Sequence, residues 1–480
     1  MTVPRDDDGR SVRINAAVIG SGQAGPSLAA ALAAEGESVA LFEGHLLGGT
    51  CVNTGCTPTK TLRKSARVAH LARRAGEFGI QVGEVTVDFA AAMERMAAVV
   101  NASRSGLTRW MTGSSGVTLV REWARLDGRD GVGERAAFVV RAGDQRFLAE
   151  RVYLNVGTSA TMPPIPGLKE SGAMVNDALL ALRALPAHLV ILGGSYIGLE
   201  LGQIFRRLGS AVTIVETAPM IVSREDADLS ERLTALLHDE GVQILTNATV
   251  QSVSGQSGHE ITVQVLMGGA PSATAVRGTH LLVATGRRPN TATLGLDTVG
   301  VALDAQGYVP VNGALQTNVP GIWALGDVNR RGAFTHTSYQ DHEIVLANHR
   351  GGTRTADGRV ATYALYTDPP LGRVGLNETE ARRLMPTGRR FLQASHEMRN
   401  VSRAKEESET VGVIKVLVDA ETHQFVGATI FGIGGDEIVQ IIGAMMAAKA
   451  PYQVLRDFLP VHPTVTEFFP TILGKLAPLA

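Results

Sequence analysis

A strand, a glycine-rich turn, a helix and a second strand ending on an acid occur twice in this chain, in the same internal register. In the first copy Ala16 to Ile19 reads as a short buried strand. It is followed by Gly20-Ser21-Gly22-Gln23-Ala24-Gly25, a helix running to Ala34, and a strand from Ser38 to Phe42 that ends on Glu43. The second copy runs Leu189 to Leu192, Gly193-Gly194-Ser195-Tyr196-Ile197-Gly198, a helix to Leu208, and a strand from Ala211 to Val215 that ends on Glu216. Gly20 and Gly193, Gly36 and Gly209, and Glu43 and Glu216 are each separated by 173 residues. In a βαβ unit of this kind glycines let the backbone approach a pyrophosphate, the helix N-terminus offers free N–H groups, and the terminal acid accepts ribose hydroxyls. A single such turn is weak evidence, since a glycine-rich turn can bind nothing. Two copies in register, each with its acid, predict two bound dinucleotides.

The second copy departs from the pattern at Ser195, where a side chain stands at the point of closest approach to pyrophosphate. Glu216 favours a free 2′-hydroxyl over a 2′-phosphate, because a carboxylate repels the phosphate. The nicotinamide expected there is therefore NADH rather than NADPH, with Arg224 in the next loop as the residue able to reverse the preference.

At 480 residues the chain is too long for one core and predicts about three domains. Its 44% hydrophobic and 19% charged residues are those of an ordinary globular protein. With 45 basic against 46 acidic residues there is no field to gather a polyanion, which argues against a nucleic-acid partner. No stretch approaches the ~20 apolar residues of a membrane span, and Met1 to Arg13 is polar without an apolar signal core. These features predict a cytoplasmic protein with no membrane partner and a loose first dozen residues.

The two cysteines, Cys51 and Cys56, cannot make a disulfide framework for a chain this long. A bridge between residues five apart needs a bent segment, which the flanking glycines permit. Zinc is disfavoured, since His45 is the sole local candidate to complete a ligand set, and no metal site is expected. Two unrelated buried thiols is the plainer alternative. A dithiol beside a flavin has a use, because flavin accepts a hydride and can hand two electrons to a disulfide.

The stretch Gly48-Gly-Thr-Cys-Val-Asn-Thr-Gly-Cys-Thr-Pro-Thr-Lys60 closely resembles the active-site segment of the class I pyridine nucleotide-disulfide oxidoreductases, a family that includes glutathione reductase, dihydrolipoamide dehydrogenase and mercuric reductase. Gly194 to Glu200 resembles the family's nicotinamide turn, Ala284-Thr-Gly-Arg-Arg-Pro-Asn290 its linker motif, and Gly321-Ile-Trp-Ala-Leu-Gly-Asp327 its second flavin motif. The resemblance implies an α/β fold with two Rossmann-like dinucleotide-binding domains, for FAD and NAD(P), and a C-terminal α+β dimerisation domain. The segments implied are 1–160 and 286–352 for FAD, 161–285 for the nicotinamide and 353–480 for the interface.

By the same resemblance Cys56 is the flavin-facing thiolate and Cys51 the thiol that attacks substrate. Lys60 lies near the flavin and pairs with Glu200, Tyr196 gates the nicotinamide pocket, and Asp327 binds the ribityl chain. Flavin contacts are implied at Gly20, Gly22, Gly25, Glu43, Gly49, Thr50, Gly286, Arg287 and Gly326. Nicotinamide contacts are implied at Gly193, Ser195, Ile197, Gly198 and Glu216. Ala333 to Tyr339 resembles the start of the helix that faces the flavin's pyrimidine ring, with His336 and His342 left unassigned.

His462-Pro-Thr-Val-Thr-Glu467 resembles the family's terminal motif, in which the histidine is the general acid/base and the glutamate orients it. In the family the histidine comes from the partner subunit, which implies a homodimer with composite active sites. Locally, Thr464 and Glu467 also read as a capping box. The chain ends Gly474 to Ala480 without the extra cysteine pair typical of mercuric reductases, which argues against mercuric reduction by that relay and against thioredoxin reductases with a third redox centre. Glu216 disfavours glutathione reductase. Dihydrolipoamide dehydrogenase agrees with Glu216 and the dyad, but Thr54, Thr57 and Thr59 stand where apolar residues and serine are expected. The favoured reading is an NAD(P)H-dependent reductase of a small disulfide, another low-molecular-weight thiol compound, a metal ion or a quinone. A flavoprotein redox sensor without turnover is the alternative of another class.

Overall fold

The computed structural model describes residues 11–131, 133 and 136–479, and the chain divides into two compact units. The first comprises 11–61, 93–161 and 286–359, and the second 62–92, 162–285 and 360–479.

In the first unit strands β1 (Val12–Ile19), β2 (Val39–Phe42) and β3 (Val117–Val120) pair in parallel, with the helix α1 (Gly25–Ala34) crossing from β1 to β2. Strands β4 (Ala124–Asp130), β5 (Ala137–Ala142) and β6 (Gln145–Leu154) form an antiparallel run whose last member lies parallel to β1, giving the order β3-β2-β1-β6-β5-β4. The short strand Ile322–Ala324 also pairs with β6. Parallel strands covered on both faces read as continuous apolar runs, and β2 (Val-Ala-Leu-Phe) is buried at every position. Val39, Leu41 and Phe42 each contribute about 1.5–3 kcal/mol by leaving water.

The expectation of a loose first dozen residues needs correction at its end. β1 begins at Val12, and Ser11 before it is buried. Arg13 and Asn15 break the apolar run in sequence because successive strand residues point to opposite faces. Asn15 is used structurally, its side chain bonding Ser38 just before β2. Residues 1–10 lie outside the described residues.

The second unit repeats the arrangement. Strands Val242–Leu245, Ala211–Val215, His188–Leu192 and His280–Val283 stand in that order, all parallel, with helix Tyr196–Leu208 between the second and third. An antiparallel three-stranded sheet, Ala248–Gln256, Glu260–Met267 and Thr274–Gly278, follows. The C-terminal part is a six-stranded antiparallel sheet carrying the helix Gly435–Ala447, an α+β arrangement. Among the described residues no helix is long and apolar enough to cross a membrane.

Candidate active site

The first glycine loop is shaped by its neighbours. A Cβ at Gly20 would lie 2.4 Å from the Asn155 carbonyl, one at Gly22 2.7 Å from Asn155 Oδ1, and one at Gly25 2.2 Å from the Gly20 carbonyl. Asn155, which follows β6, accepts the Gly25 N–H (3.0 Å) and donates to the Leu325 carbonyl (2.9 Å). No side chain caps the N-terminus of α1. A bare, glycine-walled helix start of this kind fits a pyrophosphate.

Glu43 closes the loop. Its Oε2 accepts the Ser21 N–H (3.1 Å) and hydroxyl (2.7 Å), and its Oε1 accepts the His45 N–H (2.9 Å). The Ser21 hydroxyl in turn accepts the Gly48 N–H at 3.0 Å. Next to it Gly49, at φ +59°, would place a Cβ 3.1 Å from the Gly22 Cα. The segment bearing the cysteines is thus seated directly on the first glycine loop.

Cys51 lies in the short helix α2 (Gly49–Asn53), and Cys56 opens the next helix, α3 (Cys56–Arg73). Gly55 makes the break between them, with room for a Cβ only 3.0 Å from the Thr50 carbonyl. Both cysteines are half-buried. Cys56 and then burial push the Cys51 thiol far up, while Thr335 and Lys60 pull weakly the other way. Cys56 Sγ lies 3.2 Å from the hydroxyl of Thr335, the first residue of helix Thr335–His349. Lys60 stands one turn beyond Cys56 on α3. Among the described residues no group of three or more His, Cys, Asp or Glu side chains is placed to hold a metal.

Asp327, Arg287 and Thr50 converge through Thr158. The Thr158 hydroxyl donates to Asp327 Oδ2 (3.0 Å), and Arg287 donates to that hydroxyl (2.7 Å), to the Thr158 carbonyl (2.5 Å) and to the Thr50 hydroxyl (3.4 Å). Gly286 precedes Arg287 at φ +146°. The turn at Gly326, at φ +73°, gives its N–H to the buried Asp341 at 2.7 Å. His336 stacks on Phe334 and His342 meets the edge of Tyr339, packing contacts in both cases.

In the second unit a Cβ at Gly193 would lie 2.5 Å from the Ala284 carbonyl, and one at Gly198 2.0 Å from the Gly193 carbonyl. Glu216 accepts the Gly194 N–H (2.6 Å) and the Ala218 N–H (2.7 Å), the same pair of contacts that Glu43 makes. Ser195 is exposed and caps helix Tyr196–Leu208 with extended backbone, and Ile197 is exposed beside it. Arg224 is exposed as well. The Tyr196 hydroxyl donates to Glu225 at 2.8 Å, and burial followed by Glu225 pushes the phenol well up, so it stays a donor. Glu200 is buried and accepts the Tyr366 N–H at 2.9 Å.

His462 Nδ1 lies 2.7 Å from Glu467 Oε2, with the imidazole 76% exposed and the carboxylate 15%. The Glu467 N–H also donates to the Thr464 hydroxyl at 3.2 Å. Half of the capping box and the dyad thus coexist, because the cap uses the glutamate's backbone and the histidine its carboxylate.

Sequence reasoning missed Asn155, Thr158, Thr335 and Asp341. A signal existed for the first two, since Asn155-Val156-Gly157 ends its strand as Ala284-Thr285-Gly286 ends its own. Thr335 and Asp341 sit on a helix with no apolar stripe to set them apart.

The family model described as pyridine nucleotide-disulphide oxidoreductase matches residues 14–341, and that of the family's dimerisation domain matches 361–472. The chain is 34% identical to the probable pyridine nucleotide-disulfide oxidoreductase RclA of Escherichia coli K12, over 95% of this chain and 97% of that protein. It is 32% identical to the mercuric reductase of Streptomyces lividans, over 94% and 93%. Dihydrolipoyl dehydrogenase 3 of Pseudomonas aeruginosa is also 32% identical, over 94% and 95%. Among solved structures, the Cu(II) complex of the HOCl-induced flavoprotein disulfide reductase RclA from Escherichia coli superposes with a TM-score of 0.85 at 33% identity, covering 96% of this chain and all of that one.

Proposed function

This chain belongs to the pyridine nucleotide-disulphide oxidoreductase family, and we propose that its Cys51–Cys56 pair delivers electrons from NADH to a small disulfide or a thiophilic metal ion. It is an FAD-dependent, NAD(P)H-using enzyme and a homodimer. When bound, FAD takes two electrons as hydride from the nicotinamide and gives them up to a disulfide.

The observation that carries the reading is the cysteine pair itself: two adjacent thiols of unequal surroundings, seated on a glycine loop fit for pyrophosphate. Gly20, Gly22, Gly25, Glu43, Gly49, Thr50, Gly286, Arg287, Gly326 and Asp327 would hold the FAD, with 1–160 and 286–352 as its domain. Gly193, Ser195, Ile197, Gly198 and Glu216 would hold the nicotinamide on 161–285, under a gate formed by Tyr196. Lys60 would supply a positive charge beside the flavin, stabilising negative charge there. Cys51 gives its proton up to His462 of the other subunit, brought by the interface segment 353–480, and attacks the acceptor as thiolate. The imidazole, oriented by Glu467, then returns the proton to the leaving thiol.

The solved relative is a Cu(II) complex, which supports a metal ion among the acceptors. Lipoamide is the second reading, favoured by Glu216 and by the dihydrolipoyl dehydrogenase relative. A cytoplasmic location suits a working dithiol, which a reducing compartment keeps open. The test is anaerobic NADH and NADPH oxidation against glutathione disulfide, lipoamide, quinones and Cu(II). Cys51→Ser should abolish turnover but keep the long-wavelength thiolate-to-flavin band, and Cys56→Ser should lose both. Acceptor reduction at the same rate in both variants would assign the activity to the flavin alone.

A further inference from the structure

Beneath Tyr196 lies a buried polar cluster that the electron-transfer reading leaves unused. Glu225 has no exposed side-chain surface and Arg373 is 3% exposed. One carboxylate oxygen, Oε1, accepts both the Tyr196 hydroxyl (2.8 Å) and the Tyr363 hydroxyl (2.7 Å). Arg373 donates to the Tyr363 oxygen (2.9 Å), lies 3.4 Å from Glu225 Oε2, and is paired on its other side with Glu380. The two tyrosine rings pack at 5.6 Å between centroids, tilted by 42°.

The acceptor cannot follow the tyrosine. Arg373 and Asn377 hold the Arg224 carbonyl, and Asp226 accepts the Thr379 N–H (3.0 Å), the Thr379 hydroxyl (2.8 Å) and the Lys415 ammonium (3.1 Å). Residues 224–226 are thereby pinned to helix Glu378–Leu384 and strand Val413–Asp419.

We propose that Glu225 is the fixed catch of a latch on Tyr196, with Tyr363 and Arg373 as positioning residues that keep the catch in place. Tyr196 leaves the closed position only by breaking a bond to a buried carboxylate, and hydrogen bonds to charged groups are roughly twice as strong as neutral ones. The apparent affinity for nicotinamide is then reduced by the fraction of molecules whose gate is open. This deepens, and rests on, the reading of Tyr196 as the gate of the nicotinamide site.

The test is calorimetric titration of the oxidised holoenzyme with NAD+, alongside anaerobic flavin reduction by NADH. Glu225→Gln keeps the shape but removes the charge, and should lower both dissociation constants about fivefold. Tyr363→Phe takes the competing phenol off Oε1 and leaves it to Tyr196, and should raise them about twofold. Both shifts should vanish on a Tyr196→Phe background, while flavin content stays near wild type in every variant and the melting temperature falls in Glu225→Gln but not appreciably in Tyr363→Phe. If Glu225→Gln does not fold, Tyr363→Phe, which retains both ion pairs of Arg373, carries the test. Shifts of the same size with and without the Tyr196 hydroxyl would overturn the latch alone. Wild-type enzyme that bound neither NAD+ nor NADH would overturn the underlying reading and the latch with it.

Discussion

At Gly20 and at Gly193 an added Cβ would strike the carbonyl that ends a neighbouring strand, Asn155 in one unit and Ala284 in the other. At Gly25 and Gly198 it would strike the loop's own first glycine. The middle position differs. Gly22 faces the Asn155 amide, whereas Ser195 belongs to a unit in which Ala284 stands in the place of Asn155 and has no amide to crowd it. The outer glycines are thus demanded by backbone and the middle one by a particular side chain. Ser195 marks the loss of a neighbour, and so carries no argument against a phosphate site.

The largest effect expected is on the shared contacts. Gly25→Ala should yield protein without FAD, and Gly198→Ala should keep the FAD absorbance but lose flavin reduction by NADH, since neither loop can move its own first glycine aside. Retention of normal NADH reduction in Gly198→Ala would break the parallel. Gly22→Ser should also lose FAD, and adding Asn155→Ala should recover part of it. That recovery is limited because Asn155→Ala itself costs about 1–3 kcal/mol through the unpaired Gly25 N–H and Leu325 carbonyl.

Next comes a charge that only the second unit carries. Arg207 occupies the register of Ala34 and, with Arg63 and Arg67, surrounds Asp368, whose side chain is 4% exposed. Asp368→Asn strands these guanidiniums and should cost about 3 kcal/mol in denaturant unfolding. Burial alone would raise the Asp368 carboxyl, but Arg207, Arg67 and Arg63 together hold it below the ordinary carboxylate value. A folded value below the unfolded one contributes stability above about pH 4 and loses it as pH falls through the folded value. The difference in Tm between wild type and Asp368→Asn should therefore be widest at neutral pH and close below about pH 4. A gap independent of pH would show that Asp368 acts by packing. The smallest effect is Ser195→Gly: its side chain caps nothing, so stability should change by only a few tenths of a kcal/mol.

The duplicated loops and their acids were legible because the turn, the helix start and the acid's bond back to the loop lie within one βαβ unit, where spacing sets geometry. Cys51 and Cys56 were legible for the same reason. Asn155 was not: it joins Gly22, Gly25 and Leu325 from the end of a strand more than a hundred residues away, and an asparagine after a strand ordinarily reads as a turn residue. Glu225 meets Tyr363 and Arg373, cross-strand neighbours in one hairpin, from more than a hundred residues away, a pairing that no local periodicity encodes. At His462 the sequence offered two local meanings for Glu467 and the fold uses both, since backbone and side chain of one residue bond independently.

The hydroxyl of Ser21 accepts the Gly48 N–H and donates to Glu43, so the first glycine loop and the footing of Cys51 are tied together through one side chain. Loosening either end loosens the other. Thiol alkylation then becomes a gauge of cofactor loading. In a partly loaded preparation the empty molecules should expose Cys51 to iodoacetamide first, so that the fraction labelled early is expected to track the chains that have lost their flavin.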